Sequence, residues 1–84
     1  MFDDREDASL ARIEKVRRIN RSAAVKCGQH GVTDEELAIA AAYSAFDLAE
    51  RHAGPEMAAI EWMRTALDVL ERAVMDGVRR RDAG

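Results

Sequence analysis

Val32-Thr33-Asp34-Glu35-Glu36-Leu37 carries the residue types that start an α-helix. In a capping box, the Thr33 side chain accepts a hydrogen bond from the backbone N–H of Glu36, and the Glu36 carboxylate accepts one from the N–H of Thr33. Val32 and Leu37 have the spacing of a hydrophobic staple, and the acidic residues between them suit the positive end of the helix dipole. The stretch therefore predicts a helix that begins at residue 34.

Ala53-Gly54-Pro55, twenty residues further along the chain, has the residue types that end one helix and start the next. Gly54 can adopt the left-handed conformation that terminates a helix. Pro55 suits the first turn of a helix, because proline has no N–H and the N–H groups of that turn make no hydrogen bond within the helix. These signals predict an antiparallel helical hairpin with helices at about 34–53 and 55–79. A further helix is predicted at about 4–27, followed by a loop that contains Gly28 and Gly31.

Hydrophobic periodicity predicts which faces of the hairpin helices are buried. Helix 34–53 is apolar over more than half its circumference, which indicates contact with two neighbours. Helix 55–79 is apolar over about half its circumference. Five of its residues follow the spacing of left-handed antiparallel helix packing: Ile60, Met63, Leu67, Leu70 and Val74. We therefore expect this row to lie in the core.

The first helix has a narrower apolar strip, formed by Leu10, Ile13, Val16, Ile19, Ala23, Ala24 and Cys27, with Asn20 in its middle. An Asn in such a seam either fixes the register or oligomeric state, or hydrogen-bonds backbone near a loosely packed end. We expect an all-α, three-helix bundle-like domain over residues 1–84, built on the hairpin with the first helix packed across it. Two copies of this domain are expected to dimerise into a larger helical bundle.

The composition is that of a small acidic protein. Its 84 residues allow one domain with a modest core, and its single cysteine excludes an internal disulfide framework. The acidic N-terminus, Met1–Asp7, lacks the basic and apolar regions of a signal peptide, and no apolar run approaches the roughly 20 residues that span a bilayer. We expect a cytoplasmic protein without membrane contact.

The net charge of −3 hides a concentration of bases near both ends of the chain. Residues 12–27 hold six bases and one acid, and residues 79–81 are three consecutive arginines. One hypothesis is therefore a regulator that binds nucleic acid through Arg17, Arg18, Arg21, Arg79, Arg80 and Arg81. The bases are spread around the first helix and no aromatic side chain accompanies them to stack on nucleobases, which favours a solvated surface instead.

An acidic strip on helix 34–53 gives the preferred functional hypothesis. The strip consists of one aromatic and three acidic residues: Glu36, Tyr43, Asp47 and Glu50. Tyrosine is enriched where proteins meet proteins, so the strip is predicted to bind a basic surface on another protein. We expect a non-catalytic interaction module, a small adaptor or inhibitor that acts as a homodimer by occluding its partner's surface.

The sequence offers little for catalysis or metal binding. Cys27-Gly28-Gln29-His30 has the spacing of half a zinc site, but a structural site needs four ligands. A two-fold dimer would bring two such halves together; the favoured interpretation is a small core cysteine and a surface histidine. No nucleophile elbow, phosphate-binding loop or metalloprotease motif occurs. We predict no catalytic residues, no metal ligands and no cofactor.

Overall fold

The structure of the chain is a computed structural model that describes residues 4–83. Three α-helices account for most of this range, and it contains no strand: α1 (Asp4–Gln29), α2 (Asp34–Ala53) and α3 (Met57–Ala83). The predicted all-α fold class is confirmed. The chain divides into two compact units within α2, one ending at Ile39 and the other beginning at Ala40. The single domain over 1–84 stays a prediction, and residues 1–3 and 84 lie outside the described range.

The predicted capping box forms the start of α2. The Thr33 hydroxyl oxygen accepts a hydrogen bond from the Glu36 N–H at 3.1 Å, and the Glu36 carboxylate accepts one from the Thr33 N–H at 3.0 Å. The Thr33 hydroxyl also donates to the same carboxylate at 3.0 Å. Val32 and Leu37 are both half-buried, as a hydrophobic staple requires. Short-range hydrogen bonds therefore fix where α2 begins.

The end of α1 lies at Gln29, two residues beyond the prediction. Gly28 continues the helix, and Gly31 is the residue that takes the left-handed conformation, with φ at 88°. The Val32 N–H donates to the Cys27 carbonyl at 3.2 Å and the Gly31 N–H to the Gly28 carbonyl at 3.1 Å. This pair of bonds is a Schellman motif, which supplies hydrogen-bond donors to carbonyls that have no partner within the helix.

The start of α3 lies at Met57, two residues after the predicted start at about Pro55. Gly54 adopts φ of 117° and Glu56 adopts φ of 54°, and a left-handed residue interrupts a right-handed helix. The Glu56 N–H donates to the Glu50 carboxylate at 3.0 Å, which ties the turn back to the last turns of α2. At its other end α3 reaches Ala83 instead of residue 79, because arginines are good helix formers and suit the negative end of the dipole.

The hairpin of α2 and α3 packs most closely beside its turn. Ala49 is 1% exposed and Ala59 is 0% exposed, and these are the buried apolar residues of the described chain. Three alanines at seven-residue spacing on α3 differ in burial: Ala59 is buried, Ala66 is half-buried and Ala73 is exposed. Burial on α3 therefore decreases with distance from the turn as far as residue 76: every residue from 67 to 76 is exposed, and Gly77 and Val78 are half-buried.

The predicted burial of the apolar row on α3 is wrong over its C-terminal part. Ile60 and Met63 are half-buried, but Leu67 is 60% exposed, Leu70 is 57% exposed and Val74 is also exposed. The apolar strip of α1 is likewise more than half exposed at each of its large residues: Leu10, Ile13, Val16 and Ile19. One neighbouring helix covers roughly 100° of a helix surface, so an apolar arc of half a cylinder keeps uncovered side chains.

The capping box leads to a prediction about acid stability. The Thr33 N–H, and then its hydroxyl, donate to the Glu36 carboxylate and hold its pKa below the ordinary value of 4.5. A pKa that is lower in the folded chain stabilises the fold above the unfolded pKa, and this contribution is lost as the pH falls through the folded pKa. We expect Glu36→Gln, which keeps an acceptor oxygen but does not titrate, to lose less helical circular dichroism than the wild type on acidification below about pH 4.5.

The matched control for this titration is Glu35→Gln, which alters an exposed neighbour that takes no part in the box. Its acid profile should stay closer to that of the wild type. Thr33→Ala removes the hydroxyl that caps the helix and should cost about 1 kcal/mol of stability at neutral pH. Identical acid profiles for the Glu36→Gln and Glu35→Gln variants would contradict the assignment.

Backbone conformation predicts opposite effects for two Gly→Ala substitutions, one in the hairpin turn and one within α3. At Gly54 the backbone is left-handed, and an added Cβ would lie 3.3 Å from the Cβ of Ala58, so Gly54→Ala should destabilise by about 1 kcal/mol or more. At Gly77 on α3 an added Cβ meets nothing within 4 Å, so Gly77→Ala should stabilise by about 0.5–1 kcal/mol. Thermal unfolding followed by circular dichroism measures both. Shifts of the midpoint in the same direction would refute this description of the turn.

Candidate protein-binding surface

An open apolar groove runs between α2 and α3 in the second unit. Its walls are Ala42, Tyr43 and Phe46 from α2 and Ile60 and Met63 from α3, and its volume is about 370 Å³. We call it the Tyr43 groove. Phe46, Ile60 and Met63 are half-buried, whereas the Tyr43 side chain at the rim is 70% exposed. A large ring that is held beside an apolar depression and left in water is a feature of surfaces that bind other proteins.

The four residues of the predicted acidic strip have different surroundings. Glu36 lies in the first unit, where its carboxylate is engaged in the capping box. Glu50 is half-buried and accepts the hydrogen bond from the Glu56 N–H that orders the turn. Tyr43 and Asp47 lie four residues apart on α2, so they share one face, and both are exposed. Two of the four residues thus hydrogen-bond backbone groups at helix ends, whereas Tyr43 and Asp47 take part in no such hydrogen bond within residues 4–83.

A second groove, which the sequence does not predict, lies beside Trp62. It is lined by Ala45, Leu48, Ala49, His52 and Trp62 and encloses about 260 Å³. The rings of His52 and Trp62 meet edge to face, with centroids 5.3 Å apart and planes at 73°. The signal that could have indicated it is spacing: Leu48 and His52 are four residues apart, and Trp62 follows on the other side of the turn.

A row of exposed apolar residues continues along α3 beyond the Tyr43 groove. We call Met63, Leu67, Leu70 and Val74 the α3 row; its last three members are more than half exposed. At 100° per residue, Arg64 and Glu71 flank one side of the row and Ala66 and Ala73 flank the other. Covering the exposed part of one such leucine would contribute about 1 kcal/mol.

The predicted nucleic-acid-binding arginines fall into two groups. Arg17, Arg18 and Arg21 lie on α1 in the first unit, and residues 79–81 lie near the end of α3 in the second. The Arg17 guanidinium pairs with the Glu14 carboxylate at 2.6 Å, and Arg79 approaches Asp76 at 4.0 Å. All six arginines are exposed, as a solvated surface and a nucleic-acid surface both require.

Within residues 4–83, no group of three or more His, Cys, Asp or Glu side chains is arranged to hold a metal ion. Cys27 is half-buried near the end of α1 and His30 is exposed. A zinc site shared between two copies stays an untested hypothesis. None of the three described helices combines the length and apolar character needed to cross a bilayer.

Comparisons with protein-family models, with curated proteins and with solved structures find no match for this chain.

Proposed function

We propose that this chain is a non-catalytic protein-protein interaction module, a small adaptor or inhibitor that acts in the cytoplasm by covering a partner's surface. The observation that carries the proposal is the exposed Tyr43 ring at the rim of an apolar groove, with Asp47 four residues further along the same helix. The proposed partner is another protein with a basic surface, and no chemical step takes place.

The chemistry of the groove supports this assignment. A tyrosine ring brings a large contact area while few rotatable bonds have to be fixed, and its hydroxyl can remain at the wet edge of an interface. The groove walls are almost entirely hydrocarbon, which suits an aliphatic or aromatic side chain of the partner. Asp47 would attract a neighbouring Lys or Arg and repel an acidic surface, so it contributes specificity more than affinity.

We further propose that the module is a homodimer. The α3 row supports this because three large apolar side chains on one helix face are more than half exposed. Contiguous apolar surface of this kind on a small chain is typical of a face that another protein covers. Dimerisation is a separate claim from partner binding at Tyr43, and each has its own test.

The nucleic-acid hypothesis is the alternative, and a mobility-shift assay separates the two. Binding to generic duplex DNA or RNA at low salt, weakened steeply by added salt and by Arg17→Ala with Arg18→Ala and Arg21→Ala, would favour the alternative. The proposed function expects no shift under these conditions.

The main test uses a double variant of the rim. The partner is first co-purified from the native host on the tagged chain, then titrated in pure form by calorimetry. We expect Tyr43→Ala combined with Asp47→Lys to weaken binding by about 30-fold or more, since a hot-spot tyrosine contributes roughly 2 kcal/mol. Both side chains are exposed, so helical circular dichroism should remain unchanged.

The matched control makes the same kinds of change on α3 instead of α2, with Asp68→Lys and Met75→Ala. These residues are also exposed, and both line a shallow depression on the charged side of α3. The control should bind the partner as the wild type does. Equal affinity of all three proteins would remove Tyr43 and Asp47 from the site.

A further inference from the structure

We propose that a second copy of the chain covers the α3 row, with the two α3 helices antiparallel and Leu67 of each copy facing Leu70 of the other. The inference rests on the homodimer part of the proposed function and adds the interface, the direction and the register. The row is available for such contact because Leu67, Leu70 and Val74 are all more than half exposed.

The spacing of the row defines how two copies would interdigitate. Met63, Leu67, Leu70 and Val74 are separated by four, three and four residues, which is the alternation of a and d positions in a left-handed helix pair. In an antiparallel pair, an a residue of one helix shares a layer with a d residue of the other. With Leu67 opposite Leu70, Met63 lies opposite Val74, and the two-fold axis repeats both layers. All four members of the row are then matched by apolar partners.

Charge complementarity selects the antiparallel direction. In this register Arg64 of each copy lies beside Glu71 of the other, so the two-fold axis creates two ion pairs on one edge of the interface. The opposite edge brings Ala66 near Ala73, and two small residues permit close approach of the helices. A parallel pair would instead place Ala66 beside Glu71 and leave Arg64 without an acidic partner. Only the antiparallel arrangement therefore pairs Arg64 and Glu71 with a side chain of opposite charge.

The same features favour a second copy over an unrelated protein. An interface with two-fold symmetry must be complementary to itself, so each group on the face needs its counterpart on the same face. The α3 row meets this condition: its apolar residues pair among themselves, and its flanking charges are one base and one acid. A face shaped for a basic or an acidic partner would carry flanking charges of one sign.

The test is a charge swap in the full chain, read by analytical ultracentrifugation at micromolar concentration. The wild type should sediment as two chains. Arg64→Glu and Glu71→Arg each place like charges together twice, and each should raise the dimer dissociation constant by about tenfold or more. The double variant, Arg64→Glu with Glu71→Arg, recreates both ion pairs in reversed polarity and should return to within about threefold of the wild type.

Two further variants keep the result interpretable. Leu67→Asp alters a residue that is exposed in the single chain, so it should give a monomer while helical circular dichroism is retained. Arg72→Glu makes the same change as Arg64→Glu on the opposite, charged side of α3 and should leave the dimer intact.

The outcomes separate this inference from the proposed function. Loss of the dimer in both single variants with recovery in the double variant supports the register. A dimer that is insensitive to Arg64, Glu71 and Leu67 overturns the interface but not the homodimer. A wild type that sediments as a single chain overturns both the interface and the homodimer. So does a wild type whose α3 row is covered by a different protein. Partner binding at Tyr43 is tested by its own titration, and none of these sedimentation results decides whether it occurs.

Discussion

The hairpin depends on the close packing of α2 and α3 beside the Gly54 turn, where Ala49 and Ala59 are the buried residues, and the area buried by these two side chains is small. Two buried alanine side chains contribute about 1–2 kcal/mol, which is comparable to the entropy lost when one or two residues become ordered. Alanines allow the helices to approach closely but supply little apolar area. The larger side chains that could supply it, such as Leu67 and Leu70, are exposed. Covering this exposed apolar surface would add to the stability of the chain. This is the physical reason for proposing association.

The two proposed surfaces meet at Met63. This residue forms one wall of the Tyr43 groove and is also the first member of the α3 row. In the proposed register Val74 of the second copy lies against Met63, so its side chain would come close to the mouth of the groove. Occupation of the groove by a partner and pairing of the α3 helices would then influence each other through this one side chain. A flexible methionine suits such a position because it can repack without a large strain.

The sequence predicts the elements of this fold that depend on neighbours within four residues. Thr33 and Glu36 form the expected capping box, and Gly54 ends α2 with a positive φ, because both features need only local hydrogen bonds or the absence of a Cβ. α3 begins two residues later than predicted because the Glu50 carboxylate, six residues earlier, hydrogen-bonds the backbone of Glu56 in a left-handed conformation. Periodicity shows which face of α3 is apolar, but it cannot tell whether another helix of the same chain covers that face.

The candidate site shows that helical periodicity is also insufficient to identify which residues bind a partner. Helical periodicity groups four residues of α2 into one strip, yet the structure uses Glu36 to cap a helix and Glu50 to order a turn. A partner that drew the Glu50 carboxylate away from its present position would weaken the hydrogen bond that holds Glu56 and so disturb the turn. Tyr43 and Asp47 can be contacted without that cost. To identify a binding surface on a small helical chain, one must first establish which polar side chains hydrogen-bond its own backbone. The remaining exposed side chains can then contact a partner without loss of those bonds.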